Sequence, residues 1–339
     1  MRTCIEYVWV DKNLNYRSKC KVMDNEINEL SDVPMWNFDG SSTNQNRKKE
    51  NTEVILKPIE LFNDPFRGNK HKMVLCECFH DKDTPTKCNF RSHALESFNQ
   101  KTELQPWFGL EQEYFIYDNV TKLPLGLETT TSQGEHYCGI GSSNIHPTTR
   151  MIMEAHLQYC LYAGVKISGI NVEVAPGQGE FQVGPCEGIQ AGDHLHIARY
   201  ILKRVGEYYD MVIEFHPKPL KGLEWNGSGC HVNFSTIKMR EGTKKHNGFH
   251  FIKKAINRLE KTHEIHMKCY GENNEMRMSG QCETACYDEF SWSVGGRDVS
   301  VRVGNETYEN KCGYFEDRRP ASNCEPYVVT SLIFNSCCL

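Results

Sequence analysis

One stretch of the chain, 171–185, constrains the fold most strongly because its pattern is that of a β-hairpin. Pro176 and Gly177 supply the turn between two alternating strands. Successive side chains point to opposite faces of a strand, so Glu173 and Glu180 are expected on one face and the apolar residues on the other. Two carboxylates about 5 Å apart repel by about 3 kcal/mol at an effective dielectric constant near 20. The stretch therefore predicts a positively charged partner between the two glutamates.

A second strand brings a further pair of glutamates. The apolar run 106–117 contains Glu111 and Glu113, which lie two positions apart and therefore share one face. The segment 225–236 is a glycine-rich turn followed by a strand, and His231 in that strand is a candidate neutral ligand. Oxygen-rich sites with a single imidazole suit Mg²⁺ or Mn²⁺ better than Zn²⁺.

The C-terminal part of the chain supplies arginines beside one more glutamate. Arg277 lies in a polar loop, Arg302 alternates with valines in the strand pattern 299–303, and Arg318 follows Glu316 by two positions. Arginines beside acidic strands favour recognition of an anionic substrate, because the guanidinium binds carboxylate and phosphate in a bidentate manner. No Walker P-loop occurs, so phosphate is expected to be bound by metal ions and arginines. The residues alone thus predict a metal-dependent enzyme that uses ATP.

Composition argues against several other classes of protein. The net charge of −5 over 339 residues, without a long basic run, speaks against binding of nucleic acid or of an anionic membrane. No run of about 18 apolar residues could span a bilayer, so a cytoplasmic protein without a membrane partner is expected. The 16 cysteines are scattered and contain no C-x-x-C pair, which favours reduced thiols over disulfides or a zinc site.

The strand and helix patterns predict two domains. Alternating segments at 5–10, 19–23 and 72–79 indicate a small strand-rich domain over residues 1–82, followed by a larger domain over 83–339. The polar stretch 36–45 is expected to be a surface loop. Helices in the second domain are expected at 91–100, at 148–162, behind an N-capping Asp193, and as one long helix over 248–270.

Six sequence blocks match one protein family, beginning with Trp-Asn-Phe-Asp-Gly-Ser-Ser-Thr at 36–43. The other five are Trp107–Tyr114, Glu173–Gly188, Asn226–Thr236, Ser300–Arg302 and Tyr314–Pro320. Because the blocks occur in order along nearly the whole chain, the match is far more specific than any single motif. The chain resembles eukaryotic-type (class II) glutamine synthetase.

The resemblance implies an α+β fold with a small N-terminal β-grasp-like domain. The larger catalytic domain would hold a curved, mainly antiparallel sheet flanked by helices, of the glutamine synthetase/guanidino kinase type. It implies ATP-dependent amidation of L-glutamate with ammonia through a γ-glutamyl phosphate, giving glutamine, ADP and phosphate. Two or three Mg²⁺ or Mn²⁺ ions per site are implied. So is a homo-oligomeric double ring, expected to be a decamer of two stacked pentamers.

The resemblance also assigns roles to individual residues. The metal ligands would be Glu113, Glu173 and Glu180 for the ion nearer glutamate, and Glu111, His231 and Glu316 for the ion nearer the phosphates of ATP. Glutamate would be bound by Glu173, Asn226, Gly227, His231, Arg277, Arg297 and Arg318. ATP would be bound by Trp107, Glu111, Glu180, Asn233, Ser235, Arg240, Arg297, Arg302 and Tyr314. Three residues would be catalytic, with Asp39 taking a proton from ammonium, Glu283 on a flap over the intermediate, and Arg297 on the transferring phosphate. The loop that carries Asp39 would reach the active site of the neighbouring subunit.

The chain departs from the family pattern at a few positions, and two alternative functions stay open. Gly179 stands where the family usually has tryptophan, and Met276 replaces an arginine. The alternatives are a non-catalytic ring-forming scaffold of the same fold and a ligase for another amine. Retention of all six expected ligands, together with Asp39 and Glu283, favours the enzyme, because a scaffold has no chemical need for mutually repelling carboxylates.

Overall fold

The computed structural model describes residues 2–46, 51–127, 134–141, 145–220 and 225–339. None of the helices in these ranges has the length and apolar character needed to cross a bilayer. The strands are β1 Thr3–Val10, β2 Tyr16–Met23, β3 Trp36–Asp39, β4 Glu53–Asn63, β5 Lys72–Phe79, β6 Trp107–Asp118, β7 Ile167–Val172, β8 Gln178–Glu187, β9 Met211–Glu214, β10 Cys230–Ser235, β11 Trp292–Val294, β12 Val301–Val303 and β13 Phe315–Asp317. The α-helices are α1 Phe90–Asn99, α2 Pro147–Ala163, α3 Gln190–Tyr208, α4 Ile237–Glu241, α5 Gly248–Lys261, α6 His263–Met267, α7 Asn305–Asn310 and α8 Pro326–Cys338.

The N-terminal strands form one sheet in the order β2-β1-β5-β4-β3, with β1 and β5 parallel. Alternation along β1 sends Ile5 and Tyr7 into a small core on one face of this sheet. Val8 from the other face joins Leu75 in the large core that also contains the second sheet. The N-terminal sheet is therefore packed against the rest of the chain, and a domain boundary at residue 82 stays a prediction.

The second sheet carries the order β11-β12-β13-β10-β6-β8-β7, and β9 pairs with the far end of β6. One face packs against helices α2 and α3, where Leu110, Phe181 and Val232 are buried in the large core. The opposite face carries the polar residues of the same strands, since side chains alternate along each strand. This mixed α+β architecture confirms the predicted fold class.

The predicted hairpin is confirmed, with β7 and β8 as its strands. The first strand ends at Val172, so Glu173 lies just beyond it and not within it, although its backbone N–H still donates to the carbonyl of Gln178 at 3.0 Å. Gly177 in the turn has a φ of +67°, and a Cβ there would lie 2.8 Å from the backbone nitrogen of Leu125. Both facts require glycine at this position.

Two helix predictions were wrong in detail. Helix α3 begins at Gln190, so Asp193 does not cap it. The Asp193 carboxylate instead accepts hydrogen bonds from the guanidinium of Arg91 at 2.8 and 2.9 Å. The long helix over 248–270 is broken at Thr262 into α5 and α6. The Thr262 hydroxyl donates to the carbonyl of Leu259 at 3.3 Å, a local bond of the kind that competes with the helical pattern.

Two predicted segments have different bounds in the structure. The stretch 36–45 is not entirely loop, because Trp36–Asp39 forms β3, and the strand expected at 299–303 is limited to Val301–Val303. All 16 cysteines are free thiols and eight of them are buried, which confirms the prediction of reduced cysteines.

Gly179 is expected to tolerate no side chain. It pairs with Tyr114 across β6 and β8, and an added Cβ would lie 2.9 Å from the Cζ and Oη atoms of that fully buried ring. Gly179→Ala should lower the free energy of unfolding by about 1–3 kcal/mol, because the ring cannot move without repacking the core. Urea denaturation measures this. Gly109→Ala, where the nearest atom would be 3.5 Å away, is the control, and equal losses for the two variants would contradict the prediction.

Candidate active site

The polar face of the second sheet gathers acidic side chains by strand register. Glu113 of β6 lies directly opposite Glu180 of β8. On the other side of β6, Glu111 lies directly opposite His231 of β10. Farther along the sheet, Glu316 of β13 lies directly opposite Asn233 of β10. The pairing of these four strands thus arranges the acidic side chains in two adjacent clusters.

The first cluster consists of Glu113, Glu173 and Glu180, whose carboxylate oxygens lie within 4.8 Å of one another. Backbone and side-chain donors hold it in place. The backbone N–H of Gly229 donates to Glu113 at 2.6 Å, and the Asn171 amide donates to Glu173 at 2.9 Å. The three carboxylates thus converge on one point with their orientations set by the surrounding chain.

Without a bound cation, the three carboxyl groups of this cluster are not all ionised at neutral pH. Burial, with the charge of Glu113 as a second cause, raises the pKa of Glu173 to about 8 and that of Glu180 to about 9. Like charges at this separation disfavour ionisation unless a cation intervenes. Three convergent oxygens, two of them on carboxyl groups with raised pKa values, fit a divalent cation of the Mg²⁺ or Mn²⁺ type.

The second cluster consists of Glu111, His231 and Glu316, again within 4.8 Å of one another. The Nδ1 atom of His231 lies 3.7 Å from Glu111 Oε2 and 3.5 Å from Glu316 Oε1. Burial raises the pKa of Glu111, but the neighbouring His231, the hydrogen bond from the Asn233 amide and the charge of Arg318 together outweigh this effect, so the pKa is lowered overall. Two oxygens and one imidazole nitrogen fit the same kind of cation.

Two arginines contact the second cluster through Glu316. Arg318 Nη1 donates to Glu316 Oε1 at 2.7 Å, and Arg302 Nη1 donates to Glu316 Oε2 at 3.1 Å. A cavity of about 700 Å³ lies between these groups. Its walls contain both clusters and also Asn226, Gly227, Arg277, Glu283, Arg297, Arg302 and Arg318. The structure therefore brings together the residues that the resemblance assigns to metal and glutamate.

Arg277 is a buried cation in the wall of this cavity. Its Nε donates to Asn274 Oδ1 at 3.0 Å, and its Nη2 donates to the carbonyl of Arg319 at 2.6 Å. Burial lowers the pKa of Arg277 to about 10, so the guanidinium remains charged at neutral pH. A fixed buried charge of this kind is suited to binding a carboxylate.

The expected flap residue Glu283 lies at the mouth of the cavity. Its carboxylate is 3.9 Å from the guanidinium of Arg297, and both side chains are about half exposed. Arg318 donates to the backbone carbonyls of both residues, at 3.4 Å to Glu283 and 3.1 Å to Arg297. Arg318 thus joins the two segments that flank the entrance.

An apolar cavity of about 1010 Å³ adjoins the acidic one. Its lining contains the remaining residues that the resemblance assigns to the nucleotide: Trp107, Asn233, Ser235, Arg240 and Tyr314. The Arg240 guanidinium lies 3.9 Å from the centre of the Trp107 ring. Glu111 lines both cavities, so a ligand in the apolar cavity could extend a charged group to the second cluster.

Asp39 is the one predicted site residue that lines neither the acidic nor the apolar cavity. It is exposed at the end of β3 in the N-terminal sheet, and among the described residues it is not part of the cavity lining. Hydrogen bonds from Ser41 and Ser42 lower the pKa of Asp39 to about 2. Its carboxylate is therefore ionised and available to a cation from outside this chain.

Sequence reasoning missed four residues that line the acidic cavity: Tyr137, Asn171, Cys282 and Thr284. Asn171 could have been found, because it lies two positions before Glu173 in the hairpin pattern and so shares its face. Tyr137 belongs to no periodic segment, and nothing in the sequence connects it to the strand residues around it.

Comparison with known proteins identifies the family. The family described as glutamine synthetase, catalytic domain, matches residues 90–338. The chain belongs to the glutamine synthetase family. It is 47% identical to the glutamine synthetase of Candida glabrata over 336 residues, covering 98% of this chain and 88% of that protein. The corresponding figures are 46% over 340 residues for the Saccharomyces cerevisiae glutamine synthetase, with 99% and 90% covered. For the chloroplastic/mitochondrial glutamine synthetase of Arabidopsis thaliana they are 46% over 338 residues, with 98% and 77% covered. These relatives confirm the eukaryotic-type resemblance.

The raised pKa values predict how the stability of the metal-free protein depends on pH. A folded-state pKa above the unfolded one contributes stability at low pH that is lost as the pH rises towards the folded value. Between about pH 5 and 9, Glu180 should therefore reduce the free energy of unfolding by up to about 1.4 kcal/mol per pH unit. Urea denaturation in the presence of a chelator measures the slope. Glu180→Gln should flatten it, and parallel slopes for native protein and variant would contradict the expectation.

Proposed function

We propose that this chain makes glutamine from L-glutamate, ammonia and ATP at the site formed by the two acidic clusters. Membership of the glutamine synthetase family makes the chain an ATP-dependent carbon–nitrogen ligase that uses a divalent metal. The observation that supports the placement of the reaction is the pair of three-ligand clusters between an arginine-lined cavity and an apolar one.

The donor chemistry of each cluster supports a specific division of labour. Glu113, Glu173 and Glu180 would hold the ion nearer glutamate, while Glu111, His231 and Glu316 would hold the ion nearer the phosphates of ATP. The ions are Mg²⁺ or Mn²⁺ in this proposal, and when bound they neutralise charge on the phosphoryl oxygens. The fit rests on ligand atoms within 4.8 Å of one another in each cluster.

The remaining residues bind and orient the reactants. The nucleotide occupies the apolar cavity, its base near Trp107 and Arg240. Arg277 and Arg318 bind the carboxylates of glutamate, which places the γ-carboxylate in line with the terminal phosphate of ATP. Its oxygen attacks the phosphorus, ADP leaves, and an acyl phosphate forms. Arg297 and Arg302 stabilise negative charge on the transferring group.

The second step needs ammonia and the absence of water. Asp39 accepts a proton from ammonium, and the free ammonia attacks the carbonyl carbon of the acyl phosphate, which releases phosphate and leaves glutamine. Glu283 and Arg297 shield the intermediate, because exposure to water would hydrolyse it. Since Asp39 lies outside the cavity of its own chain, we place it at the site of a neighbouring subunit in a double ring of two pentamers.

The shared site predicts complementation between two inactive variants. Asp39→Ala damages the group given to a neighbour, and Glu180→Ala damages the cluster in the chain's own cavity. Each variant alone should be inactive, whereas co-expression should restore activity at those sites that combine an intact Asp39 with an intact Glu180. Glutamine formation by co-expressed subunits measures this, and no recovery in a mixed assembly would place Asp39 within its own site or outside the reaction.

The direct test of the proposed function is a three-substrate assay. Purified protein with ATP, glutamate, ammonium and Mg²⁺ or Mn²⁺ should release phosphate and form glutamine, and phosphate release should depend on ammonium. Sedimentation of the same sample should give the mass of a decamer. A folded assembly that binds Mn²⁺ but does not turn over would refute the proposal in favour of a scaffold or of another amine substrate.

The proposal includes a cytoplasmic location. The support is chemical, since all 16 cysteines are free thiols in the structure and a reducing compartment maintains that state. Fractionation of the source cells with an antibody to the protein tests it, and recovery in an organelle fraction would contradict it.

A further inference from the structure

Two carboxamide side chains lie on the same sheet face as the acidic clusters. Gln182 of β8 is directly opposite Glu111 on one side and Gly169 on the other. Asn171 of β7 is directly opposite Glu180. The two amides, which belong to the two strands of the hairpin, therefore lie on the same face as the carboxylates and directly beside them.

Hydrogen bonds connect these amides to two members of the first cluster. The Nε2 of Gln182 donates to Asn171 Oδ1 at 2.6 Å and also to Glu180 Oε1. The Nδ2 of Asn171 in turn donates to Glu173 Oε1 at 2.9 Å. The NH2 group of a carboxamide only donates, so its hydrogen bonds to the oxygens of Glu173 and Glu180 determine the orientation of both amides. The chain of donors runs in one direction, from Gln182 to the two glutamates.

The backbone makes room for this arrangement at Gly169. A Cβ at that position would lie 2.5 Å from Oε1 of Gln182, and the register of β7 against β8 is shifted between Ile167 and Gly169. The Gln182 carboxamide therefore lies over a strand position that has no side chain. Gln182 also lines the apolar cavity, whereas Asn171 and Glu180 line the acidic one, so the amide pair lies in the wall between the two.

We infer that Gln182 and Asn171 are positioning residues that set the orientation of Glu180 and Glu173 for metal binding. This inference rests on the proposed function of the first cluster as a metal site. Neither amide touches the cation in this scheme. Each holds one carboxylate in the rotamer that points its oxygen towards the other ligands, as the partners of metal ligands commonly do.

Mn²⁺ binding by the purified protein, without ATP or glutamate, tests the inference. Loss of the free-ion electron paramagnetic resonance signal during titration gives the number of sites and their dissociation constants. Glu173→Gln identifies which class of site belongs to the first cluster. For that class, Gln182→Met should raise the dissociation constant about ten- to a hundredfold, because methionine keeps the length of the side chain and removes both donors.

Additional variants separate positioning from packing. Gly169→Ala leaves Gln182 in place but displaces its amide, so it should weaken the same Mn²⁺ site. Gln182→Met combined with Asn171→Leu should bind Mn²⁺ no more weakly than the weaker single variant, because the two amides act as one unit. Gln190→Met removes a carboxamide that instead accepts from Lys166 at 2.8 Å, and it should leave Mn²⁺ binding unchanged.

Each outcome of these titrations has a definite meaning. Dissociation constants within twofold of native for Gln182→Met and Gly169→Ala, at unchanged melting temperature, would overturn the inference while leaving the metal site intact. If Gln182→Met does not fold, the Gly169→Ala result decides. Absence of Mn²⁺ binding by native protein would refute the metal site and the inference together. Failure of glutamine synthesis with normal Mn²⁺ binding would affect only the proposed reaction.

Discussion

Glu180→Gln is expected to lower the rate of glutamine formation by a factor on the order of 10³ or more, which is the scale seen when one preorganised electrostatic contact is removed. Glu180 belongs to the first cluster and faces Glu113 directly across the sheet. The glutamine side chain has nearly the same shape, but it removes one negative charge from the cluster. A steady-state assay at saturating ATP, glutamate and ammonium measures the effect.

The variant should remain folded, since the change relieves repulsion among buried carboxylates. Its metal-free form should be at least as stable as the native protein in urea at pH 8. The control is Glu207→Gln, which alters a solvent-exposed carboxylate paired with Arg204 on α3 and should leave the rate unchanged. Full activity of Glu180→Gln would show that Glu180 is not a metal ligand and would contradict the first cluster as a metal site.

Of the variants considered, Arg319→Met should lower the free energy of unfolding the most. Arg319 and Asp317 have no exposed surface, and the guanidinium donates to both carboxylate oxygens, at 2.8 Å from Nε and 2.7 Å from Nη2. Removal of one partner leaves a buried charge without compensation, which costs about 3–5 kcal/mol. That is a large fraction of the 5–15 kcal/mol that typically stabilises a folded domain. Urea denaturation measures the change.

Two comparisons show whether the loss comes from the unpaired charge. Asp317→Leu combined with Arg319→Met removes both charges and should be less destabilised than Arg319→Met alone. Arg2→Met breaks an exposed pair with Asp24 and should cost less than about 1 kcal/mol. A double variant as unstable as the single one would attribute the loss to packing and not to electrostatics.

The buried pair also affects the site, because β13 alternates between the two faces of the sheet. Asp317 and Arg319 point into the core, while Glu316 and Arg318 point into the acidic cavity. We expect Arg319→Met to weaken Mn²⁺ binding and to lower the free energy of unfolding. The buried pair of Asp317 and Arg319 fixes the segment that also carries Glu316 and Arg318. The structure thus connects core electrostatics with the second cluster.

Local sequence patterns were sufficient for several of these features. Strict alternation in 171–185 and 106–117 predicted which glutamates share a face. The register of β6 against β8 and the convergence of Glu113, Glu173 and Glu180 confirm it. Pro176 and Gly177 predicted the turn. Helix boundaries were less predictable, because the assignment of Asp193 as a cap ignored Arg91, which is distant in sequence and binds its carboxylate.

The sequence by itself determined the family, the α+β class and the residue types able to bind metal and phosphate. These follow from periodicity and from motif order, which are local properties of the chain. The family resemblance assigned the ligands to two ions, and tertiary structure decided how the clusters form. Glu111 and Glu113 share a face, but Glu111 pairs with His231 of β10 and Glu113 with Glu180 of β8. The structure also places Asp39 outside the cavity of its own chain, and it shows that Gln182 and Asn171 donate to two of the carboxyl groups. Such contacts depend on the register and packing of segments far apart in sequence, and no local pattern encodes them.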